Sequence, residues 1–212
     1  MSTVSVAAVQ PPSYPARPLN GGALELAPPK PGQWFYEPKY NGWRALVHAP
    51  TGSMFNRYGQ PLSIAAEFGR ALKCLRAAAV KVDGHAVEWF DCEALDRRHA
   101  LGRGTLLAFD YLSVLGGVEE PWRTRKERLA QAFLEHDWRQ VPLPEALYGV
   151  PGQDPAALAP QELYRQLRQL NACWGCRFYE GLVAKRITDA YPLQLRSPHQ
   201  PFVGWVKHRW PG

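Results

Sequence analysis

Residues 34–49 read WFYEPKYNGWRALVHA, and this stretch decides the class of fold. Aromatic and β-branched side chains dominate both halves, WFYEPKY and WRALVHA, as is typical of strands. Asn41-Gly42 lies between the halves and is a strong short-range signal for a tight turn. The stretch therefore predicts two strands joined by a two-residue turn.

More strands and three helices follow from the same kind of pattern on either side. The segments MFNRYG, VKVDGHAVEWF, TLLAFDYLSVL, FYEGLVAKRI and FVGWVKHR are strand-like. Apolar spacings of three and four predict a helix over 63–79, with Ser63 as its N-cap. We expect two further helices: 125–137 behind a Thr124–Glu127 capping box, and 160–172 between Pro160 and Gly175.

Many strands with irregularly inserted helices indicate an α+β fold rather than regular βαβ alternation. The chain has no G-x-x-x-x-G-K-[ST] segment, and no G-x-G-x-x-G follows a strand. These absences argue against a P-loop and against a dinucleotide-binding fold. The Pro-rich residues 1–33 are expected to form an extended arm, and 34–212 the folded domain.

The composition is that of an ordinary globular protein with a basic balance. The net charge is +6 and the pI about 9.3, which favours a polyanionic partner such as nucleic acid. No apolar run is long enough to span a membrane, and the N-terminus is a poor secretory signal. We therefore expect a cytoplasmic protein without a membrane partner, and a monomer. The four cysteines predict neither a disulfide framework nor, from the single Cys173-x-x-Cys176 pair, a zinc site.

Lys39 is the candidate nucleophile of the segment Glu37-Pro-Lys39-Tyr-Asn41-Gly42-Trp-Arg44. A lysine amine attacks phosphorus only when it is unprotonated, and an ordinary lysine with a pKa near 10.4 is almost fully charged at neutral pH. Neighbouring cations and partial burial favour the neutral amine. A surface lysine beside a turn is the alternative for this segment taken alone.

Five more segments follow Lys39 in order: Asn56-Arg57-Tyr-Gly59, Val82-Asp83-Gly84-His85, Phe109-Asp110-Tyr-Leu, Glu180-Gly181-Leu-Val183-Ala-Lys185 and Trp205-Val-Lys207-His-Arg209. With this series the chain resembles the covalent nucleotidyltransferases, and most closely the adenylation domain of ATP-dependent DNA ligases. The resemblance spans about residues 18–210. It implies two mainly antiparallel sheets with flanking helices and a nucleotide cleft between the sheets, similar to an ATP-grasp arrangement.

The resemblance also implies a reaction. Lys39 would attack the α-phosphate of ATP and hold AMP, which would then pass to a 5′-phosphate at a nick or strand end of DNA. The phosphate clamps would be Lys185, Lys207 and Arg209. Phosphate, ribose or the donor strand end would be contacted by Arg44 and Arg57.

The base and metal contacts are implied in the same way. Phe109 would stack on the adenine and Val183 would press on its other face, while Glu37 would read the exocyclic amine. Glu180 would bind Mg²⁺ or Mn²⁺ directly or through water, since such ions favour carboxylates together with phosphate oxygens.

Two residues and the length depart from the family pattern. Asn41 stands where DNA ligases usually have Asp, and His85 stands where a Glu usually accepts a hydrogen bond from the ribose. A neutral His85 could accept this bond with a different reach. The chain ends at Gly212, without the OB-fold domain that normally follows. An excised domain, a separate OB-fold or repair partner, and a minimal relative are the three interpretations.

Alternative functions stay open at this point. Asn41 slightly favours RNA ligation or a capping-type guanylyl transfer, whereas E-G-L-V-A-K and the Trp205 ending favour DNA. A non-catalytic nucleotide- or DNA-end-binding relative is the third hypothesis. Two basic clusters, one of Arg123, Arg125, Lys126 and Arg128 and one of Arg97, Arg98 and His99, could track a phosphate backbone or simply be solvated.

Overall fold

The computed structural model describes residues 9–11, 17–24, 34–79, 87–112, 120–134, 159–192 and 200–211. Its elements in chain order are β1 (Arg17–Asn20), β2 (Trp34–Tyr40), β3 (Trp43–His48), β4 (Ser53–Phe55), a 3₁₀ turn (Ser63–Phe68), α1 (Gly69–Ala79), β5 (Trp89–Leu95), β6 (Thr105–Leu112), α2 (Trp122–Leu134), α3 (Pro160–Trp174), β7 (Tyr179–Arg186) and β8 (Pro201–Arg209).

The strands form two four-stranded sheets within the described part of the chain. The first sheet has the order β1-β8-β7-β2, and the second has the order β4-β3-β5-β6. All neighbouring strands are antiparallel except β1 and β8, which are parallel. The α+β class with two mainly antiparallel sheets is therefore confirmed.

The turn expected at Asn41-Gly42 does not close a hairpin, so the simplest interpretation of residues 34–49 is wrong. β2 pairs with β7 of the first sheet, whereas β3 pairs with β4 and β5 of the second. The backbone N–H of Asn41 donates to the Phe178 carbonyl at the end of the first sheet (2.9 Å). The N–H of Gly42 donates to the Glu93 carboxylate of β5 (2.9 Å). These long-range partners carry the chain from one sheet to the other.

Apolar side chains fill three clusters on and between the sheets of the described chain. The cluster around Phe68 and Phe90 covers the outer face of the second sheet beneath α1 and α2. The cluster around Leu167 and Leu182 lies between the first sheet and α3. The cluster that includes Leu46 and Trp205 joins the two sheets. Helices thus lie on the outer faces and the cleft lies inside.

The helix predictions hold only in part. The segment 63–79 begins as a 3₁₀ turn, and its N-cap is Leu62 without a side-chain cap, so the Ser63 cap is wrong. α2 begins at Trp122, which places Thr124 inside the helix and overturns the capping box. The earlier start follows from packing, because Trp122 is buried and contacts the ring of Phe35. α3 starts at Pro160 as predicted and ends at Trp174, beyond the predicted end at residue 172; Gly175 follows it with a left-handed backbone.

Some predictions fall outside the described residues. These are the first part of the VKVDGHAVEWF strand with His85, the end of the 125–137 helix, and most of the arm 1–33. Of the arm, β1 belongs to the first sheet through its pairing with β8. No helix within the described ranges is long and apolar enough to cross a membrane.

Candidate active site

A cleft of about 510 Å³ opens between the two sheets. Five of the six motif segments contribute residues that line this cleft or contact its lining; the exception is the Val82–His85 segment. From the first sheet come Arg17, Glu37, Lys39, Val183, Lys185, Trp205, Lys207 and Arg209, and from the second sheet and its loops come Arg44, Arg57, Glu93 and Phe109. The fold therefore brings together motifs that are up to about 170 residues apart in sequence.

A bulge in β7 aims Glu180 at Lys39. Lys39 pairs with Gly181 and Tyr40 with Tyr179, so Glu180 is the extra residue between the two pairs. Such bulges re-aim a side chain. The Lys39 ammonium donates to Glu180 Oε2, and Arg209 Nη2 lies 2.9 Å from the same oxygen. Glu180 therefore holds the candidate nucleophile and one candidate phosphate clamp together.

Gly181 is required by this bulge. Its φ is 141°, and a Cβ built there would lie 1.9 Å from the His208 carbonyl oxygen on β8. A side chain would both strain the backbone and collide with the neighbouring strand. The glycine of the E-G-L-V-A-K segment thus has a physical reason: it allows β7 and β8 to pair while Glu180 turns into the cleft.

A group of cations occupies the same end of the cleft. Burial lowers the pKa of Lys207, and the positive charges of Arg209, Arg17 and Lys39 lower it further. Arg17 comes from β1 and was missed by the sequence analysis, because nothing in the Pro-rich arm indicates that it joins the sheet. This group would bind a polyanion such as a polyphosphate.

Glu37 lies between two lysines. Its Oε2 is 2.6 Å from Lys185 Nζ, and its Oε1 is 2.6 Å from Lys126 Nζ of α2. Burial alone would raise the pKa of Glu37, but Lys126 and Lys185 reverse this effect and hold it below the ordinary value. Both carboxylate oxygens are thus engaged, so any contact of Glu37 with a base would be made from within this ion-pair network.

Lys185 is 1% exposed and lies between aromatic rings. Its Nζ is 4.7 Å from the centroid of Phe109 and 4.3 Å from that of Trp205. Burial lowers its pKa, although Glu37 and Asp110 favour the charged form. Phe109 belongs to the second sheet and Val183 to the first, and both line the cleft. A planar base could therefore enter between them.

Arg44 lines the cleft but is tied to Asp91. Its Nε donates to Asp91 Oδ1 (2.7 Å), its Nη2 donates to Oδ2, and Tyr191 donates a further bond to Asp91 (2.6 Å). The guanidinium also lies 5.0 Å from the Phe109 ring centroid. Arg44 therefore has a fixed position beside the Phe109 ring.

Glu93 is a cleft residue that the sequence analysis missed. It lies opposite Arg44 on β5 and accepts a hydrogen bond from Gly42 N–H (2.9 Å). Burial raises its pKa, and the positive charge of Lys39 acts in the opposite direction. A Cβ on Gly42 would lie 2.7 Å from the Glu93 side chain, so only glycine allows this approach. The alternation Asp91-Cys92-Glu93 could have indicated that both acids share a face.

The amide of Asn41 has a local structural role. The side-chain Nδ2 of Asn41 donates to the Arg177 carbonyl (2.8 Å), and the backbone carbonyl oxygen of Asn41 lies 2.6 Å from His99 Nε2. An aspartate could not donate the first bond when ionised. Asn41 therefore makes a loop contact that an ionised aspartate at this position could not make.

The basic cluster of α2 is mostly engaged inside the protein. Arg125 is 4% exposed and binds Asp110 through two donors (2.8 and 3.1 Å). Lys126 pairs with Glu37, and Arg128 pairs with Glu120. These contacts anchor α2 against the rim of the cleft, so the cluster as a whole is not available to track a phosphate backbone.

Comparison with known proteins supports the fold that the motif resemblance implied. DNA ligase C1 of Mycolicibacterium smegmatis is 31% identical over 152 residues, which are 60% of this chain and 43% of the relative. A structure of mycobacterial DNA ligase D complexed with ATP and MES superposes with a TM-score of 0.56 and 23% identity over 93% of this chain and 60% of that one. The chain has the nucleotidyltransferase-domain fold of ATP-dependent DNA ligases. The resemblance inferred from the motifs is confirmed.

The ligase domain of LigD from M. tuberculosis gives a similar superposition, with a TM-score of 0.56 and 22% identity over 93% of this chain and 60% of that one. No family model matches the chain. The chain spans about 43% of the length of DNA ligase C1. It therefore corresponds to the ligase nucleotidyltransferase fold and not to the whole of that relative.

Proposed function

We propose that the chain is an ATP-dependent DNA ligase-type nucleotidyltransferase with Lys39 as its nucleophile. One observation carries the proposal: five of the six motifs of the series bring residues into one cleft, which Lys39 shares with several cations and with Phe109 and Val183. The sixth motif, with His85, lies outside the described residues. The 31% identity to DNA ligase C1 supports DNA as the nucleic acid.

The first step forms a bond between Lys39 Nζ and the α-phosphorus of ATP. The bond from that phosphorus to the bridging oxygen breaks, and pyrophosphate leaves. Glu180 Oε2 is the acceptor in contact with the Lys39 ammonium and is placed to take its proton. The cations Arg17, Lys207 and Arg209 would neutralise the charge on the phosphates, which is the main requirement in phosphoryl transfer.

The later steps pass AMP to DNA. A 5′-phosphate oxygen attacks the phosphorus of lysyl-AMP, the P–N bond breaks, and Lys39 leaves as an amine that takes back the proton from Glu180. A 3′-hydroxyl oxygen then attacks the phosphorus of the 5′-phosphate and loses its proton to solvent, and AMP leaves as its bond to that phosphorus breaks. Each step exchanges one bond to phosphorus for another, so positioning by a fixed cleft supplies much of the rate.

The nucleoside would lie between Phe109 and Val183. Position 85 has no carboxylate to accept a hydrogen bond from a ribose hydroxyl. Glu93 would accept this bond instead, because Glu93 lines the cleft beside Gly42. Glu37 would accept from the exocyclic amine at the edge of its lysine network. A base–aromatic stack contributes about 1–3 kcal/mol to binding.

The donor set of the cleft fits a divalent ion only together with a nucleotide. The described residues contain no group of three or more His, Cys, Asp or Glu side chains that could hold a metal alone. Glu180 is partly exposed and could supply one carboxylate oxygen, and phosphates would supply the others, as Mg²⁺ favours. Such an ion would neutralise phosphate charge.

The test is covalent labelling with α-labelled ATP or GTP and Mg²⁺ or Mn²⁺, followed by denaturation. We expect label from ATP in the wild type and none in Lys39→Ala. Lys73→Ala is the matched control, because Lys73 is an exposed lysine on α1. Absence of ATP label in the wild type, or its persistence in Lys39→Ala, would overturn the proposal. Label from GTP alone would indicate capping-type chemistry.

A further inference from the structure

Two exposed aromatic side chains line the rim of the cleft. Trp43 is 48% exposed and Tyr58 is 39% exposed, and both belong to the cleft lining. Val203 is the one other large hydrophobic side chain that is comparably exposed in the described part of the chain. Exposed aromatic surface that is concentrated at one opening, rather than scattered, indicates a contact surface for a ligand.

Each aromatic ring has an arginine beside it. The Arg98 guanidinium carbon lies 4.4 Å from the Trp43 ring centroid. Arg98 is itself held by Asp96, to which its Nε donates at 2.8 Å. The Arg57 guanidinium carbon lies 5.0 Å from the Tyr58 ring centroid. Flat, apolar and positively charged groups are thus combined at one rim.

The loop that carries Tyr58 is fixed by its own hydrogen bonds. Asn56 Oδ1 accepts from the backbone N–H of Tyr58 (2.8 Å) and of Gln60 (3.1 Å). Gly59 has a φ of 75° and completes the turn. The ring is therefore presented by an ordered turn, which lowers the entropy cost of binding.

The chemistry of this rim fits a nucleic-acid strand. Aromatic side chains stack on bases of any sequence, and arginines contact the adjoining phosphates. A base inside a duplex is already stacked on both faces, so only an unpaired base can use the rings. Arg17 and Lys207 inside the cleft favour the same polyanion.

We propose that Trp43 and Tyr58, together with Arg98 and Arg57, form a stacking platform for an unpaired base of the strand whose end enters the cleft. The proposal rests on the proposed function and deepens it, because it names the form of the substrate: a DNA end with an overhang is bound more tightly than a fully paired end. The platform would hold the overhang while the strand terminus reaches Lys39.

The experiment measures the affinity of two probes by fluorescence anisotropy at one fixed salt concentration. The probes are a 5′-phosphorylated duplex with a short single-stranded overhang and the same duplex with a blunt end. We expect Trp43→Ala to weaken binding of the overhang probe about tenfold and of the blunt probe less than twofold. Trp43→Phe should keep most of the affinity, because it retains a ring.

Two further measurements separate stacking from other roles. The first measures the association constant for the overhang probe at several salt concentrations. Loss of a stacked ring leaves the slope of the logarithm of this constant against the logarithm of the salt concentration unchanged, whereas loss of a phosphate contact reduces that slope. Trp34→Ala is the matched control: Trp34 also has an arginine near its ring, Arg186 at 5.2 Å, and it does not line the cleft. We expect Trp34→Ala to change the affinity for the overhang probe and for the blunt probe by less than twofold.

The proposal is overturned if Trp43→Ala weakens both probes equally, if it weakens neither, or if the wild type does not prefer the overhang. These outcomes differ from failure of the proposed function, which is read from lysyl-AMP formation by the wild type with ATP alone. If the wild type prefers the overhang probe but forms no lysyl-AMP, the stacking platform is retained and the proposed nucleotidyltransferase activity is rejected. If the wild type forms lysyl-AMP but does not prefer the overhang probe, the activity is retained and the platform is rejected.

Discussion

Replacing Lys185 with methionine should destabilise the protein by about 3 kcal/mol. The Lys185 ammonium is 2.6 Å from Glu37 and 3.9 Å from Asp110, and it is almost fully buried. Removing one partner of a buried ion pair costs about 3–5 kcal/mol. The lower end applies because Glu37 keeps Lys126 and Asp110 keeps Arg125. Methionine preserves the length and apolar stem of the side chain.

The assays are equilibrium unfolding in denaturant and a thermal scan, each repeated for Glu37→Gln and for the double variant. At 2–4 °C per kcal/mol, the melting temperature of Lys185→Met should fall by about 6–12 °C. The double variant should lose less stability than the sum of the two single variants, since the pair is in direct contact. A loss below about 1 kcal/mol, or strictly additive losses, would refute the buried pair.

The same pair predicts an acid dependence. The pKa of Glu37 is below its ordinary value in the folded protein, so the unfolded chain binds this proton first as the pH falls. The stabilisation is therefore complete above the ordinary carboxyl range and is lost as the pH drops through the lower folded pKa. Between about pH 3 and pH 7, the stability of Glu37→Gln should depend less steeply on pH than that of the wild type; identical slopes would contradict this.

Three other substitutions follow from single contacts. Asn41→Asp should lower the free energy of unfolding by about 1 kcal/mol, because a carboxylate cannot donate to the Arg177 carbonyl; unchanged denaturant midpoints would disprove this contact. Gly181→Ala should lower the free energy of unfolding by more than about 3 kcal/mol, through backbone strain and a clash with β8. The control is Gly69→Ala on α1, where a Cβ meets no atom within 4 Å; it should be neutral or stabilising in the same thermal scan. Arg17→Ala should weaken binding of ATP about tenfold or more and leave binding of AMP unchanged in a competition assay, and equal losses for both nucleotides would rule out a polyphosphate contact.

Local signals predicted five of the strands and the start of α3, but they failed elsewhere: β4 ends at Phe55, within the segment MFNRYG, and β5 (Trp89–Leu95) lies mostly beyond VKVDGHAVEWF. Alternating and β-branched residues located β2, β3, β6, β7 and β8, because a strand that faces a core on one side must show this pattern. The start of α2 depends on Trp122, which is buried against Phe35 of a distant strand. A capping box is a preference of about 1 kcal/mol, and this burial overrides it.

The motif series anticipated most of the cleft, and distant pairing supplied the rest. Lys39, Lys207 and Phe109 line the cleft as the resemblance implies. Arg17 and Glu93 were missed, since each enters the cleft through a strand pairing that its own neighbours in sequence do not encode.

The sequence alone predicted an α+β domain and most of the candidate site residues, because the first depends on short-range periodicity and the second on residue types in an ordered series of motifs. Only the tertiary structure decided that Asn41-Gly42 crosses between two sheets, that a bulge turns Glu180 toward Lys39, and that Lys126 is engaged by Glu37. These features arise from pairing between segments far apart in the chain, whose free energy depends on contacts that no local pattern contains.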